Sequence, residues 1–295
     1  MIPYALYQKW REPIRLLKQW KIAMLGAGAI AEAMIDAFIH TSVLSPRQIH
    51  VINRTRKDKL QLLHDRFGIH PSISVEDAVN EADLILLCVK PKDAGEVLAE
   101  AAKSAPDHAL YLSVVAGKSI DWMTKIITAS QEDHQNQVEP KVVRTMPNTS
   151  CEIRESATAY ATSPNCTEDD IQIVETLLRA IGTAYPIEEH LLNAVTGLSG
   201  SGPAYFYYMV ESMILAGMDV GLDEKTAKSL ITQTIYGAAH MLRYTGDSPE
   251  KLRADVTSPG GTTMAGIATM EAHHFQQAVR EAVRSATKRA AELGE

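Results

Sequence analysis

The sequence predicts a doubly wound α/β domain followed by an all-α domain. In the first half of the chain, short apolar segments alternate with helical segments. This order builds a parallel sheet covered by helices. A glycine-rich turn joins the first apolar segment to the first helix, and from Leu191 onward only helical spacing is found. We therefore predict domains at 21–163 and 164–295, preceded by an extension at 1–20.

The predicted sheet consists of apolar runs, which are typical of parallel strands buried on both faces. The runs are "KIAML" (21–25), "IHVIN" (49–53), "LILLCV" (84–89), "ALYLSVV" (109–115), "KVVRTM" (141–146) and "SATAYAT" (156–162). Between the first of these runs, helical patterns are found at 26–40, 56–68 and 76–83.

Helix-boundary signals locate the later elements. Thr167 is the predicted N-cap of a helix with Asp170 in its first turn, and Gly182 is the predicted stop. The segment "TAYPI" that follows is a further strand candidate. Later helices are predicted from Asp223 to near Gly246, from Ser248 with Pro249 in the first helical position, and from Phe275 to Leu293.

Composition excludes several classes of protein. A hydrophobic content of 45% and a charged content of 22% indicate a globular chain, and a net charge of -7 argues against nucleic-acid binding. No apolar run is long enough to predict a membrane span, and residues 1–20 lack the apolar core of a signal peptide. We expect that extension to be a surface arm or helix. The three cysteines form no CxxC pair, so we expect a cytoplasmic protein without disulfides, and no histidine spacing indicates a metal site.

The turn after the first strand has the pattern of a dinucleotide-binding loop. The turn comprises Leu25, Gly26, Ala27, Gly28, Ala29 and Ile30. Gly26 permits the tight turn, Gly28 lets a pyrophosphate approach the backbone, and Ala31 allows close packing of helix on strand. The alternative is a glycine-rich turn that binds nothing. We predict a Rossmann domain because a strand precedes the pattern and a helix follows it.

The end of the second strand predicts which dinucleotide binds. Sites for NAD carry an acidic residue there, whereas this chain has Asn53, Arg54 and Thr55. A guanidinium and a hydroxyl would hold a 2′-phosphate, so we predict NADPH, with NADH as the alternative cofactor. The alternative is that they are solvated loop residues without a ligand.

Three further strand ends outline a crevice, because ligands in such sheets bind beyond the carboxyl ends of the strands. The residues at these strand ends are Cys88, Val89, Lys90 and Pro91 after one strand, Ala116 after the next, and Asn148 after a third. Lys90 taken alone would be an ordinary surface lysine.

The stretch "DVTSPGGTTMAG" (255–266) predicts an anion nest. Pro259 fixes the approach of the chain, the two glycines let successive N–H groups converge, and Thr262 and Thr263 add hydroxyls where the next helix begins. Such a nest suits a carboxylate. The alternative is an ordinary turn between helices with a capping hydroxyl. The cluster "TGLSGSGPAY" (196–205), taken alone, indicates only the start of a helix.

Together these segments resemble the pyrroline-5-carboxylate reductase family from about Lys21 to about Ala290. The matching motifs are "GAGAIAEAM", "NRT", "VKP", "VVRTMPNTS", "AVTGLSGSGPAYFYYMVE", "LITQTIYGAAHML" and "LRADVTSPGGTTMAGI". The resemblance implies reduction of 1-pyrroline-5-carboxylate to proline by NAD(P)H. It also implies a helical dimerisation domain, and hence a homodimer or an oligomer of dimers. By position, it assigns the substrate carboxylate to Ser258, Thr262 and Thr263, and the neighbourhood of the ring nitrogen to the catalytic residue Thr196. It also assigns contact with the cofactor to residues 25–30, residues 88–91, Ala116 and Asn148, and it places Met146 along the same crevice.

One departure and two rivals remain. Asp255 stands where the family commonly has Asn or Gln, which adds a negative charge that could weaken cofactor binding. The rivals are another imine or keto-acid reductase, and a non-enzymatic regulatory paralogue, which would be expected to lose the substrate threonines. The segment "LSGSGPAYFYY" contains no lysine, which argues against the related β-hydroxyacid dehydrogenases.

Overall fold

Eight strands form one sheet in the order β3-β2-β1-β4-β5-β6-β7-β8. The computed structural model describes residues 17–131 and 138–294. The strands are β1 (Ile22–Leu25), β2 (Ile49–Ile52), β3 (His70–Pro71), β4 (Leu84–Leu87), β5 (Leu110–Ser113), β6 (Lys141–Met146), β7 (Ser156–Thr162) and β8 (Gly182–Pro186). Neighbouring strands are parallel except β6 and β7, which are antiparallel. Only a short 3-10 turn separates those two, so the chain reverses instead of crossing over.

Helices cover this sheet on both faces. They are α1 (Ala29–His40), α2 (Lys57–Phe67), α3 (Val75–Val79), α4 (Ala94–Ala102), α5 (Ile120–Ser130), α6 (Glu168–Ala180) and α7 (Leu192–Val195). The strand β1 shows why two layers are needed, since Met24 belongs to one apolar cluster and Leu25 to the other. Side chains alternate across a strand, so a strand that is apolar throughout must be buried on both sides.

The predicted helix boundaries agree with the structure where a cap or a glycine marks them. Thr167 caps α6 and forms a capping box with Asp170. Gly68 ends α2 in the left-handed conformation, with φ of +72°. The helices α4 and α5 and the two-residue strand β3 have no counterpart among the sequence predictions.

The chain divides into two compact units at a different place from the predicted boundary. The first unit extends to Gly200 and includes the stretch from Ala286, and the second comprises Ser201–Ser285. The boundary predicted between 163 and 164 is therefore too early. The strand β8 pairs in parallel with β7, and α6 contributes Leu177 to the core of the first unit. The strand candidate "TAYPI" is confirmed as β8.

Part of the predicted extension belongs to the first unit. Leu17 is fully buried in its core. The Gln48 side chain donates hydrogen bonds to the carbonyl oxygens of Leu17, at 2.5 Å, and Trp20, at 2.9 Å. The surface arm expected at 1–20 lies otherwise outside the described residues.

The second unit is helical and exposes much of its apolar surface. Its helices are α8 (Gly202–Asp219), α9 (Glu224–Thr245), α10 (Pro249–Asp255), α11 (Thr262–Ala272) and the first part of α12 (Phe275–Glu292). Of residues 201–285, only Gly202 and Ala227 are buried. Tyr208 is 74% exposed and Leu215 is 62% exposed. A unit with this surface has not completed a hydrophobic core of its own.

Candidate active site

The turn between β1 and α1 is fixed by close contact with a neighbouring strand end. Gly26 has φ of +112°, and a Cβ atom at this position would lie 2.5 Å from the carbonyl oxygen of Cys88. The N–H of Gly26 donates to the oxygen of Ile52 at 2.9 Å, and the N–H of Cys88 donates to the oxygen of Leu25 at 2.9 Å. The turn therefore lies between the ends of β2 and β4, and only glycine fits there.

Gly28 leaves the beginning of α1 open. It is the N-cap of the helix, and no side chain caps the helix there. A Cβ at Gly28 would meet no protein atom within 4 Å, and Gly28 and Ala29 are exposed. Ala31 is buried against the core, as its predicted packing role requires. Free N–H groups and the positive end of the helix dipole are thus available to a pyrophosphate, so this turn fits a dinucleotide.

The loop after β2 presents the two residues predicted to hold a 2′-phosphate. The side chain of Asn53 accepts hydrogen bonds from the N–H groups of Thr55 and Arg56, each at 3.1 Å, so Asn53 shapes the loop. Arg54 and Thr55 are exposed. Arg54 forms an ion pair with Glu96 of α4. The hydrogen bond that Arg54 donates to this carboxylate, followed by the charge of the carboxylate, raises the pKa of Arg54, with the charges of Asp93 and Glu100 adding to the effect.

Glu96 was not among the predicted site residues. Any phosphate that binds Arg54 must compete with this carboxylate. The pair joins residues 42 positions apart in the chain, so no local pattern could have revealed it.

The end of β4 is half-buried at Cys88, Val89 and Pro91, and Lys90 is exposed. Burial raises the pKa of the Cys88 thiol far above its usual range. This thiol is therefore neutral at physiological pH and is not an activated nucleophile. The residue contributes its backbone carbonyl to the Gly26 turn instead.

The end of β5 has a second close glycine contact. Ala116, a predicted cofactor contact, is half-buried. Gly117 has φ of +79°, and a Cβ there would lie 2.9 Å from the Cα of Gly294. The Lys118 ammonium donates to the carbonyl oxygen of Gly294 at 3.3 Å. The end of the last helix therefore packs on the loop that contains Ala116.

The end of β6 holds the segment that contains Thr196. The side-chain N–H of Asn148 donates to the oxygen of Ser199 at 3.0 Å, and its side-chain oxygen accepts from the N–H of Ser150 at 3.0 Å. Both ends of this amide are thus engaged within the protein. Asn148 was predicted to contact the cofactor, whereas the visible role of its amide is to hold the 196–200 turn. Met146 also borders this turn, because its sulfur would lie 3.5 Å from a Cβ at Gly200.

Thr196 begins a π-helical turn, Thr196–Gly200. Single π turns in proteins occur frequently at functional sites. The hydroxyl of Thr196 donates to the carbonyl oxygen of Leu192 at 2.9 Å. The hydroxyl oxygen of Thr196 can therefore still accept a hydrogen bond, whereas its hydrogen is already bonded to the carbonyl oxygen of Leu192.

In the second unit, the predicted nest contains a tight turn. Pro259 and Gly260 occupy its centre, and the N–H of Gly261 donates to the oxygen of Ser258 at 3.0 Å. Gly260 has φ of +70°, as the second central position of a type II turn requires. A Cβ at Gly261 would lie 2.5 Å from the Ser258 hydroxyl, so this hydroxyl lies over the turn.

The helix that follows the turn, α11, begins without a side-chain cap. Gly261 is its N-cap and supplies no side chain, and Thr262 and Thr263 are exposed in its first turn. The capping hydroxyl of the alternative interpretation is therefore missing at this position. The first N–H groups of the helix remain available to an anion, as the nest requires.

The charge of Asp255 is compensated locally. Its carboxylate pairs with Lys251 at 2.7 Å, one helical turn earlier. Lys251 also pairs with Asp247 at 3.4 Å. Hydrogen bonds to these two carboxylates raise the pKa of Lys251. The departure noted in the sequence therefore adds less net negative charge than its position suggests.

No group of three or more His, Cys, Asp or Glu side chains among the residues that the structure describes could hold a metal ion. None of the described helices is both long and apolar enough to cross a bilayer.

Two family models match the chain. One, described as pyrroline-5-carboxylate reductase dimerisation, matches residues 189–293. The other, described as NADP oxidoreductase, coenzyme F420-dependent, matches residues 21–117. The two matches correspond to the helical part of the chain and to the first half of the sheet.

Relatives match along most of the chain. Pyrroline-5-carboxylate reductase 2 of Bacillus subtilis (strain 168) is 39% identical over 275 residues, which is 93% of this chain and 95% of the relative. A solved pyrroline-5-carboxylate reductase from Coxiella burnetii is 30% identical, has a TM-score of 0.84, and covers 94% of this chain and 100% of its own. A Plasmodium falciparum pyrroline carboxylate reductase, solved with NADP bound, is 26% identical, has a TM-score of 0.83, and covers 95% of this chain and 100% of its own.

The two glycines of the first turn lead to a paired prediction. Gly28→Ala should leave the melting temperature nearly unchanged, because the new methyl group meets no protein atom. It should weaken binding of NADPH about 10- to 150-fold if it costs one hydrogen bond to a charged phosphate. Gly26→Ala should instead destabilise the fold, because its methyl group would collide with the oxygen of Cys88. Thermal melts and fluorescence titration with NADPH measure both effects, and wild-type affinity in Gly28→Ala would contradict the pyrophosphate site.

Proposed function

This chain belongs to the pyrroline-5-carboxylate reductase family, and from that premise we propose how its residues carry out the reaction. The enzyme uses NAD(P)H to reduce 1-pyrroline-5-carboxylate to L-proline, the last step of proline biosynthesis. The family predicted from the sequence motifs is thereby confirmed. The observation that carries the cofactor assignment is the open, uncapped beginning of α1 at Gly28.

The cofactor is held by the first unit in this proposal. Backbone groups of residues 25–30 bind the pyrophosphate, and residues 88–91 and Ala116 border the remainder of the dinucleotide. The reduced nicotinamide supplies the hydride when it is bound. Asn148 contributes by holding the turn that contains Thr196.

We further propose that NADPH is preferred over NADH. Arg54 and Thr55 support this preference, because they take the place of the acidic residue that binds a ribose hydroxyl in NAD sites. The preference is moderated by Glu96, which already pairs with Arg54. Ion pairs between exposed side chains are weak because solvent screens them, so the phosphate can displace Glu96.

In the reaction step, Thr196 acts on the ring nitrogen. A neutral cyclic imine accepts a hydride poorly, whereas its protonated form accepts one readily. The Thr196 hydroxyl donates a hydrogen bond to the carbonyl oxygen of Leu192. The hydroxyl oxygen can therefore accept a hydrogen bond from the N–H of the protonated imine. The hydride then adds to the imine carbon, the electrons of the carbon–nitrogen double bond pass to nitrogen, and the product is a secondary amine. Thr196 orients the cation and needs no change in its own protonation.

The substrate carboxylate binds to the turn in the second unit. Its ligands are the first N–H groups of α11 and the hydroxyls of Ser258, Thr262 and Thr263. The uncapped helix start supports this assignment. A carboxylate there is stabilised by the positive end of the helix dipole and by charge-assisted hydrogen bonds. This requirement for a carboxylate disfavours a general imine reductase, and the presence of both threonines disfavours a regulatory paralogue.

The assembly in this proposal is a homodimer or an oligomer of dimers, formed through the second unit. Its matching family model is described as a dimerisation domain. The exposed apolar side chains of α8 and α9 support the proposal. They include Phe206, Tyr207, Tyr208, Met213, Leu215, Leu230, Tyr236, Met241 and Tyr244. Burying them between two chains would complete a core that one chain leaves open.

The reaction takes place in the cytoplasm in this proposal. Cys88, Cys151 and Cys166 are all free thiols. Reduced cysteines fit a reducing compartment.

The cofactor preference is tested by two substitutions. Arg54→Ala should raise the KM for NADPH by about 10-fold or more and leave the KM for NADH nearly unchanged, because NADH has no 2′-phosphate. Glu96→Gln should lower the KM for NADPH by no more than about fivefold, because it releases Arg54 from an exposed ion pair. Binding of 2′,5′-ADP and of 5′-AMP, followed by calorimetry, isolates the phosphate from turnover. Equal losses for both cofactors in Arg54→Ala would refute the assignment.

The carboxylate site is tested with Thr263→Val. Wild-type protein should convert 1-pyrroline-5-carboxylate and NADPH to proline. The variant should lose about 10- to 150-fold in kcat/KM if one charge-assisted hydrogen bond is removed. Its kcat should fall less, because the carboxylate is bound alike in the ground and transition states. On 1-pyrroline, which lacks the carboxylate, the wild type should be poor and the variant no worse. An equal loss on both imines would mean that the hydroxyl only maintains the turn.

The oligomer is tested with two matched leucines. Leu215, in α8, is 62% exposed, and Leu62, in α2 of the first unit, is 59% exposed. In sedimentation velocity, the wild type should be a dimer or larger. Leu215→Glu should shift it towards monomer and lower its melting temperature, because it would bury an unpaired charge at the contact. Leu62→Glu should change neither. A stable, fully active wild-type monomer would contradict the proposal.

A further inference from the structure

A charged side chain is buried within the strand β6. Arg144 of β6 is only 4% exposed. Its Nη1 atom lies 3.3 Å from a Glu189 carboxylate oxygen, and its Nη2 atom donates to the side-chain oxygen of Asn193 at 3.0 Å. Among the described residues, its Nε atom has no hydrogen-bond partner.

This arrangement is a poor way to increase stability. Burying a guanidinium costs several kcal/mol, and apolar residues of similar volume often stabilise a protein as well or better. Here one N–H of the guanidinium lacks a partner, which adds to the cost. The position of the charge therefore calls for a role other than stability.

The partners of Arg144 lie just before Thr196. Asn193 belongs to α7, whose Leu192 is fully buried against the sheet. Thr196 follows α7 directly, and its hydroxyl donates a hydrogen bond to the carbonyl oxygen of Leu192. On the other side of Thr196, Asn148 holds the carbonyl oxygen of Ser199. Arg144 of β6 thus holds the chain just before the 196–200 turn, and Asn148, two positions after β6, holds the end of that turn.

The same network reaches the loop that contains Ala116. The Glu189 oxygen that faces Arg144 also accepts the N–H of Ile120 at 2.7 Å. Ile120 begins α5, and its N-cap Ser119 ends the loop after β5. One oxygen of the Glu189 carboxylate therefore links the start of α5 to Arg144. Arg144 in turn links this carboxylate to Asn193 of α7.

We propose that Arg144 is a positioning residue for the reduction. With Asn193 and Glu189 it fixes the Thr196 turn on β6, at a constant position relative to the loop after β5 that contains Ala116. Thr196 must accept a hydrogen bond from one nitrogen atom while the imine carbon receives a hydride, so small displacements are costly. A misplacement of 1 Å can reduce a rate about 100-fold. This inference rests on the proposed role of Thr196.

The test compares isosteric and conservative variants. Arg144→Met and Asn193→Leu should lower kcat by about 10- to 100-fold, with the KM for NADPH within about twofold of wild type. Asn193→Asp keeps the acceptor for Arg144 and should retain most of the activity. Arg66→Met is the control, because Arg66 pairs with Glu32 between α1 and α2 and should not affect the Thr196 turn.

Two further measurements separate positioning from general destabilisation. In hydrogen exchange, amides of 193–200 should exchange faster in Arg144→Met than in wild type, and those of β1 and β4 should not. If Arg144 acts through Thr196, adding Arg144→Met to Thr196→Val should reduce kcat little further. Independent, multiplying losses would overturn the inference, and so would full activity in Arg144→Met. An inactive wild type would instead refute the proposed function. The exchange measurement would still test whether Arg144 holds the Thr196 turn in place.

Discussion

The cofactor end of the sheet depends on one close approach, that of Gly26 to the carbonyl oxygen of Cys88. Parallel strands β1, β2 and β4 end together, and the chain must leave β1 through the narrow space between its neighbours. A glycine with positive φ is the residue that can make this turn. Because the turn is so tight, α1 begins at once and directs its free N–H groups beyond the strand ends. The loops after β2 and β4 are then positioned by the same strands.

Charges in the first unit follow two different rules. Arg54 and Glu96 are both exposed, so their ion pair is weak, as its proposed exchange for a 2′-phosphate requires. Arg144 is buried, so its partners are fixed, and removing the Glu189 carboxylate would leave an uncompensated charge. The first arrangement suits recognition of a ligand that comes and goes. The second suits a framework that must not move during turnover.

The two units satisfy the hydrophobic effect differently. The first unit buries strands such as β1 and β4 completely within a single chain. The second unit leaves large side chains exposed, including Val220 at 82% and Tyr244 at 74%. On α9, the rings of Tyr236, His240 and Tyr244 follow one another along the helix, with centroids 4.2 Å and 5.3 Å apart. In the proposed oligomer this apolar surface would be buried, which would tie the stability of the helical unit to association.

The sequence by itself determined the features that depend on local backbone chemistry. Alternating strand and helix patterns predicted the α/β fold, caps such as Thr167 marked helix starts, and the motifs predicted the family, which the relatives confirm. The tertiary structure decided which distant side chains meet. Glu96 reaches Arg54, Glu189 joins Arg144 to Ile120, and β8 joins the first unit by pairing with β7. The arginine within the strand segment "KVVRTM" was a visible sign of the Arg144 network. Periodicity reports only which face a residue takes, whereas the partner of a buried charge is fixed by strands and helices that come together on folding.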